Sequence, residues 1–506
     1  MGYDTKTIRV FHTHIEISPY EKGEEFKIEK RFCTWDNLRH RYVNGVYLIK
    51  DEKLYLPRGM DVAYLENYFN TKAIMIYDHD PYRTFKDANM TVAPRDDLQK
   101  DCINFLTASG KYSGFSVSSQ QALILQTGFG KTYCMVNAII SMKARTMIIT
   151  TQDKIKEQWI NTFHEKTDID PDRLINIVGS GTMDGIIDGS IEGDIYFVNH
   201  QTLQTYARNK GEDALKEFFH EVKIGVKVYD EAHLCFRNVI YVDYFSDTVR
   251  TYYLTANFTR SDDQEAHLYE RCFASVYRYR SNKALEETST AVSRKHILYY
   301  PITYRSNPTS YWKKKCDTYK GFSSLLFAMW AFDEDPKNSL MKVLLQVFEE
   351  AKKHKGKILI TVPKIDNINY ICEYFKKHPE ILDGRTIGTI HSKNKKEENE
   401  MAKSSVDVII STIQSCGTGV DIKDLRSIIN TTPFSSKIIA NQLSGRLREY
   451  SPTDDTYFYD LIDIGFEPCE RQLVNKLPIL RAKCKRRFFK RASFHNYKKR
   501  RSHRKW

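Results

Sequence analysis

Twice along this chain, short apolar runs alternate with amphipathic stretches, over residues 93–265 and again over 336–465. Parallel strands covered on both faces read as continuous apolar runs, and the segments that cover them carry helical periodicity. The first set of candidate strands is Ala122 to Leu125, Thr146 to Thr150, Asp194 to Val198, Gly225 to Tyr229 and Tyr252 to Leu254. The second is Lys357 to Val362, Thr386 to Ile390, Val406 to Ile410, Ser427 to Asn430 and Thr456 to Leu461. The pattern predicts two α/β domains in tandem, each with helices on both faces of a parallel sheet.

A small α+β unit is expected before them, over 1–92. Thr7 to Val10, Ile15 to Ile17 and Val46 to Ile49 read as strands there, and Asp61 to Phe69 as a helix. His12 and His14 would share one strand face, but no carboxylate or cysteine nearby completes a metal set. The expected boundaries are 93–270 for the first large domain, 271–335 for a connecting segment, 336–470 for the second and 471–506 for a basic tail. The aromatic "FSSLLFAMWAF" in the connection reads as a buried helix.

Charge sharpens this division. The net charge is +13, yet Arg481 to Trp506 holds thirteen Lys or Arg and no acid, and the remaining 480 residues hold 64 of each sign. Phe488, Phe489, Phe494, Tyr497 and Trp506 are interleaved with those cations. Such a tail, including Lys485, Arg486 and Arg487, suits phosphate neutralisation and base stacking; a solubilising end is the alternative. The longest apolar run, Leu325 to Phe332, has eight residues, far short of the ~20 a membrane span needs. Ten scattered cysteines without a C-x-x-C pair read as reduced thiols. A cytoplasmic protein is expected.

Two motifs carry chemistry. In "ALILQTGFGKTY" an apolar strand runs into a glycine-bracketed loop. Gly128 and Gly130 let backbone approach a ligand, Lys131 reaches outer phosphates, and Thr132 offers a hydroxyl to magnesium. The helix behind the loop points its positive end at the anion. Leu125 stands where the general pattern has a glycine. In "VKVYDEAH", Asp230 and Glu231 sit at a strand's carboxyl end, where parallel sheets bind ligands. Asp230 suits a magnesium ligand opposite Thr132, Glu231 suits activation of a water, and His233 suits relaying the site's state.

With "LTAN" and "QLSGRLRE" following in order, the chain resembles the superfamily-two helicases and translocases that carry a DEAH box. Within them it is similar to the UvsW-like bacteriophage branch and to the XPB-like and restriction-enzyme-like branches. The resemblance covers about 93–465 and implies two RecA-like lobes, ATP and Mg2+ as cofactors, and a motor on nucleic acid. It implies adenine recognition by Gln99 and phosphate binding by Thr127, Gly128, Gly130, Lys131 and Thr132. Gly419, Asp421 and Gln442 would line the nucleotide from the second lobe. Arg446 or Arg448 would stabilise the transferred phosphoryl group; the usual final arginine position holds Glu449. Thr151, Gln158, Gln201, Thr202 and Ser392 would touch the nucleic-acid backbone. Thr255 would couple the two sites, although Asn257 departs from the usual hydroxyl.

The substrate implied is DNA, duplex or branched with single-stranded segments, in repair or recombination, with residues 1–92 as an accessory that binds duplex; a viral protein would act in its host's cytoplasm. RNA is the alternative substrate, and a nucleic-acid-binding protein with a degenerate ATPase is the alternative class.

Overall fold

The computed structural model describes residues 6–24, 30–36, 40–43, 45–85, 88–113, 119–125, 129–255, 263–281, 285, 297–318, 321–417, 422–447 and 455–487. The chain divides into two compact units, Met1–Ser293 and Arg294–Trp506.

The first unit opens with strands β1 (Thr7–Val10), β2 (His14–Ser18), β3 (Thr34–Asp36), β4 (Arg41–Val43), β5 (Leu48–Lys50), β6 (Lys53–Pro57) and β7 (Ala73–Met75). Five of them form a sheet in the order β5-β6-β2-β1-β7, and β3 pairs with β4. The helix Val62–Phe69 is started by Asp61, whose carboxylate accepts from the Ala63 and Tyr64 amides.

The large sheet of this unit contains β8 (Gln120–Ile124), β9 (Thr146–Thr150), β10 (Leu174–Asn176), β11 (Ile195–Asn199), β12 (Val226–Asp230), β13 (Arg250–Thr255) and β14 (Tyr277–Arg278). Its order is β10-β11-β9-β12-β13-β8-β14, and every pairing is parallel. The carboxyl ends of all seven strands therefore share one rim. β9 and β12 are buried at every position, as the apolar runs required.

Residues 1–92 do not form a separate body. One face of the large sheet shares a continuous core with the amino-terminal strands: Ile8, Val10, Ile15, Ile17 and Leu65 pack in the same cluster as Met147, Val198, Tyr229 and Tyr253. Polar anchors fix the joint. The Thr13 amide donates to Asp247 Oδ1 at 3.1 Å, Thr13 Oγ1 donates to the Ser246 carbonyl at 3.0 Å, and Tyr244 donates to the Val46 carbonyl. His12 Nδ1 lies 3.3 Å from Asp247 Oδ2. His14 is buried and stacked on Phe11 with ring centroids 4.7 Å apart. The two histidines are thus joint residues, and among the described residues no cluster suited to holding a metal is found.

The second unit holds β15 (Ile297–Tyr304), the hairpin β16 (Asp317–Thr318) and β17 (Gly321–Phe322), β18 (Lys357–Val362), β19 (Ile387–Ile390), β20 (Val408–Thr412), β21 (Leu425–Asn430), β22 (Thr456–Asp463) and β23 (Cys484–Arg487). The large sheet runs β19-β20-β18-β21-β22-β15-β23, again parallel throughout. Both large sheets are RecA-like in layout.

Two expectations change here. The 271–335 stretch is not merely a connection, because β15 pairs over its full length with β22. The tail does not start at 471: the helix Glu467–Lys483 precedes β23, so Lys485, Arg486 and Arg487 belong to an edge strand. "FSSLLFAMWAF" is helical from Ser324 on, with Phe327 and Trp330 buried, but Phe322 ends β17 and Leu325 is 55% exposed. The nine cysteines described are free thiols. Among the described residues no helix is long and apolar enough to cross a membrane.

Candidate nucleotide site and nucleic-acid face

The site forms at the rim of the first large sheet, where β12, β13 and β8 are neighbours. β8 delivers the glycine loop. Gly130 sits at φ +86°, ψ +38°, a left-handed conformation that lets the chain turn directly into the helix Lys131–Met142. No side chain caps that helix, so the amides of its first turn stay available to an anion. Lys131 Nζ donates to the Leu125 carbonyl at 3.0 Å, folding back across the loop it serves. Thr132 is half-buried in the same turn. Thr127 and Gly128 lie outside the described residues.

Gln99 lies in the helix Asp97–Leu106, whose cap Asp96 accepts from the Gln99 amide. Its side chain is buried against the glycine loop. Nε2 donates to the Phe129 carbonyl at 3.1 Å, and Oε1 accepts from the Arg95 amide at 2.8 Å. A Cβ on Gly130 would lie 2.5 Å from Gln99 Nε2. Both ends of this amide are engaged by protein, so it braces the loop.

β12 delivers the acid pair. Asp230 ends the strand, buried, and its Oδ2 accepts from Trp159 Nε1 at 2.8 Å. Its Oδ1 accepts from the Glu231 amide at 2.9 Å. Burial and the adjacent Glu231 push the Asp230 carboxyl up to about 6, against the opposing pull of the Trp159 donor and the Lys131 charge. Glu231 sits at φ +50°, a conformation uncommon for a side-chain-bearing residue. Its Oε2 lies 3.3 Å from His233 Nδ1, and Thr255 Oγ1 is 2.8 Å from the same nitrogen. Because Thr255 ends β13, the strand between β12 and β8, this contact joins the acid pair to the neighbouring strand end. The rest of "LTAN", Ala256 and Asn257, lies outside the described residues.

Trp159 is the residue of the candidate site that motif reading missed. Its signal was the apolar spacing Ile155, Trp159, Phe163 along the helix Asp153–Lys166, which puts the indole on the inward face.

A groove of about 520 Å³ opens at the same rim beside β9, β10 and β11. Asp153, Asn176, Ser180, Asn199, Gln201 and Thr202 line it. The helices Asp153–Lys166, Ser180–Ile187 and His200–Lys210 begin at its walls, and none is capped by its own N-cap side chain. Three helix starts around one polar groove favour a chain of phosphates. Gln201 and Thr202 thus belong to one surface. Gln158 is exposed but does not line the groove, and neither does Thr151, whose hydroxyl is buried without a hydrogen-bond partner. His200, also without a hydrogen bond, stacks on Tyr229 at 5.7 Å, and Tyr229 stacks on Tyr253 at 5.6 Å.

In the second unit Ser392 is exposed two residues beyond β19. Beside it the buried His391 donates its amide to Asn399 Oδ1 at 3.2 Å. Gln442 is half-buried in the helix Lys437–Ser444, and Arg446, also half-buried, follows that helix. Arg448, Gly419 and Asp421 lie outside the described residues. Asp460 and Asp463 of "DLID" are structural. Asp460 takes bonds from Tyr299, Asn430 and Lys476, and Asp463 from Ser306 and the Gly465 amide.

Residues 94–259 match the family described as type III restriction enzyme, res subunit, and residues 337–449 match the helicase conserved C-terminal domain. Together these two domains support a superfamily-two helicase-type family. No curated protein matches the chain. The two matched segments carry six strands of the first RecA-like sheet and four of the second, and they indicate a helicase-like ATPase acting on nucleic acid. The residues present suit MgATP. A buried carboxyl whose charge is held back by desolvation gains a cation partner, and a lysine resting on a loop carbonyl has a stronger acceptor in phosphate.

Proposed function

We propose that the chain is an ATP-driven helicase or translocase on DNA, one that remodels branched or recombining duplexes in the manner of the UvsW-like branch. The observation that carries this reading is the meeting at one sheet rim of Lys131, Asp230, Glu231 and the His233–Thr255 contact, next to a polar groove at three helix starts.

In this reading Lys131 exchanges the Leu125 carbonyl for the outer phosphates. Thr132 and Asp230 hold Mg2+, which when bound neutralises charge on the phosphates. Trp159 fixes the Asp230 carboxylate, and Glu231 orients the attacking water and takes its proton. His233 and Thr255 pass the state of Glu231 to the neighbouring strand end. Gln99 braces the loop and positions the adenine end. Gly419, Asp421 and Gln442 are proposed as further nucleotide contacts. Arg446 and Arg448 are proposed to stabilise the transferred phosphoryl group, an effect that reaches about 10³ to 10⁵ in rate for finger arginines. Thr151, Gln158, Gln201, Thr202 and Ser392 are proposed to track the backbone.

ATP hydrolysis compared with duplex DNA, single-stranded DNA and RNA tests the reading. DNA should stimulate, and Lys131→Ala should abolish hydrolysis while DNA affinity stays within about threefold. Stimulation by RNA alone would make the chain an RNA helicase or transcript-release ATPase. Hydrolysis indifferent to all three polymers would leave a nucleic-acid-binding protein with a degenerate ATPase.

A further inference from the structure

Between β15 and the segment matched by the second domain lies the short helix Ser310–Cys316, "SYWKKKC". Trp312 and Cys316 bury one side of it. Tyr311, Lys314 and Lys315 project together from another, at spacings of three and four residues. Tyr311 is 62% exposed, and Lys315 folds back with Nζ 4.3 Å from the Trp312 ring centre and, over one face of the Tyr311 ring, 5.1 Å from its centre. Lys313 and Lys314 are exposed, and so is Arg305, which directly follows β15.

These cations are uncompensated. Among the described residues no carboxylate lies within ion-pair distance of Arg305, Lys313, Lys314 or Lys315. Elsewhere in the unit the pattern is different: Lys352 and Lys353 each pair with a glutamate three residues back, at 2.7 and 2.6 Å. The nearest acid in sequence, Asp317, faces Arg471 at 3.7 Å.

Position adds to charge. Arg305 leaves the carboxyl end of β15, on the rim that also carries Ser392 beyond β19. Five strand spacings separate these two strands, about 24 Å along the rim. β23 runs parallel to β15, so the strand leading into the basic tail points toward the same rim.

We propose that Tyr311 and Lys314, with Lys313 on the adjoining face of the helix and Arg305 five residues before its start, form a contact for a single-stranded stretch of nucleic acid. The cations neutralise successive phosphates, and the exposed ring stacks on an unpaired base, which a duplex does not offer. The inference rests on the nucleic-acid reading above and assigns it a site outside both matched domains.

Fluorescence anisotropy of the full chain with short labelled single-stranded DNA, single-stranded RNA and duplex DNA, titrated over a salt series, tests it. In Arg305→Gln/Lys313→Gln/Lys314→Gln the log–log salt slope for single strands should flatten by about 2, from ~0.7 per lost phosphate contact. Tyr311→Ala should weaken single-strand binding about tenfold and leave duplex binding unchanged. Unstimulated ATPase should stay at the wild-type rate in both variants, since none of these residues is among those assigned to the nucleotide site. Affinity and slope unchanged in both variants would overturn the proposal and return the face to a protein partner or to solvent. Equal losses on duplex and single strand would overturn the single-strand assignment. Wild-type protein that binds none of the three polymers would instead remove the parent reading, and this site with it.

Discussion

At the scale of single residues the acid pair sets the pH behaviour. Asp230 is pushed up to about 6 by burial and by Glu231. Between its ordinary range near 4 and about 6, the folded protein holds a proton that the unfolded chain lacks. This group therefore favours folding more as pH falls, while the carboxylate proposed to hold magnesium is lost. The expected outcome is an acid limb in kcat/KM for ATP near pH 6 at subsaturating magnesium, with roughly tenfold loss at pH 5. A limb near pH 4 would show a solvated carboxylate. His200 gives the opposite sign. Burial pushes it down to about 4 from the usual 6.5, so the unfolded chain takes up a proton first and stability drains away as pH falls from 6.5 to 4. His200→Phe keeps the ring on Tyr229 and removes the titration. Denaturant melts should show the variant losing about 2 kcal/mol less than wild type between pH 8 and pH 5; parallel losses would mean the imidazole is hydrated. Lys131 and Asp230 were legible in the sequence because their chemistry fixes their neighbours in the chain. Trp159 was not, since its partner lies 71 residues away. Nor was the Gln99 amide's hold on Phe129.

At the scale of elements, the strands that form two tandem sheets were legible because both faces of each are covered and their side chains are mostly apolar. β15 was not. "ILYYPITY" contains a proline, its tyrosines alternate between buried and half-buried, and its partner β22 begins about 160 residues later. The glycine loop makes a sharper demand. At φ +86° an alanine at Gly130 costs about 1–2 kcal/mol in backbone strain, and its Cβ collides with the Gln99 amide. Gly130→Ala should weaken ATP binding about tenfold, read with a fluorescent nucleotide, while thermal unfolding shifts by only a few degrees. Wild-type affinity would show that the loop tolerates a regular φ.

At the scale of the molecule, the amino-terminal sheet is part of the first unit's core. Ile8, Val10, Ile15 and Ile17 are each fully buried, and each contributes about 2 kcal/mol by burial. Removing residues 1–90 would leave apolar side chains of the large sheet and the buried Asp243–Lys227 pair, 2.6 Å apart, without part of their cover. The truncated chain should bind hydrophobic dyes and lose ATPase activity together with solubility. A soluble truncation with full unstimulated ATPase would show a detachable accessory instead. Sequence alone reads residues 1–92 as a small unit of their own, because the shared core is made by residues far apart in the chain.

One short strand has a mechanical consequence. β12 carries Lys227 near its beginning and Asp230 at its end, about 10 Å apart. Lys227 and Thr13 both donate to the Ser246 carbonyl, at 3.3 and 3.0 Å. The amino-terminal sheet, at Thr13, is therefore fastened through the Ser246 carbonyl and Lys227 to the very strand whose far end is Asp230, so the two share one anchor.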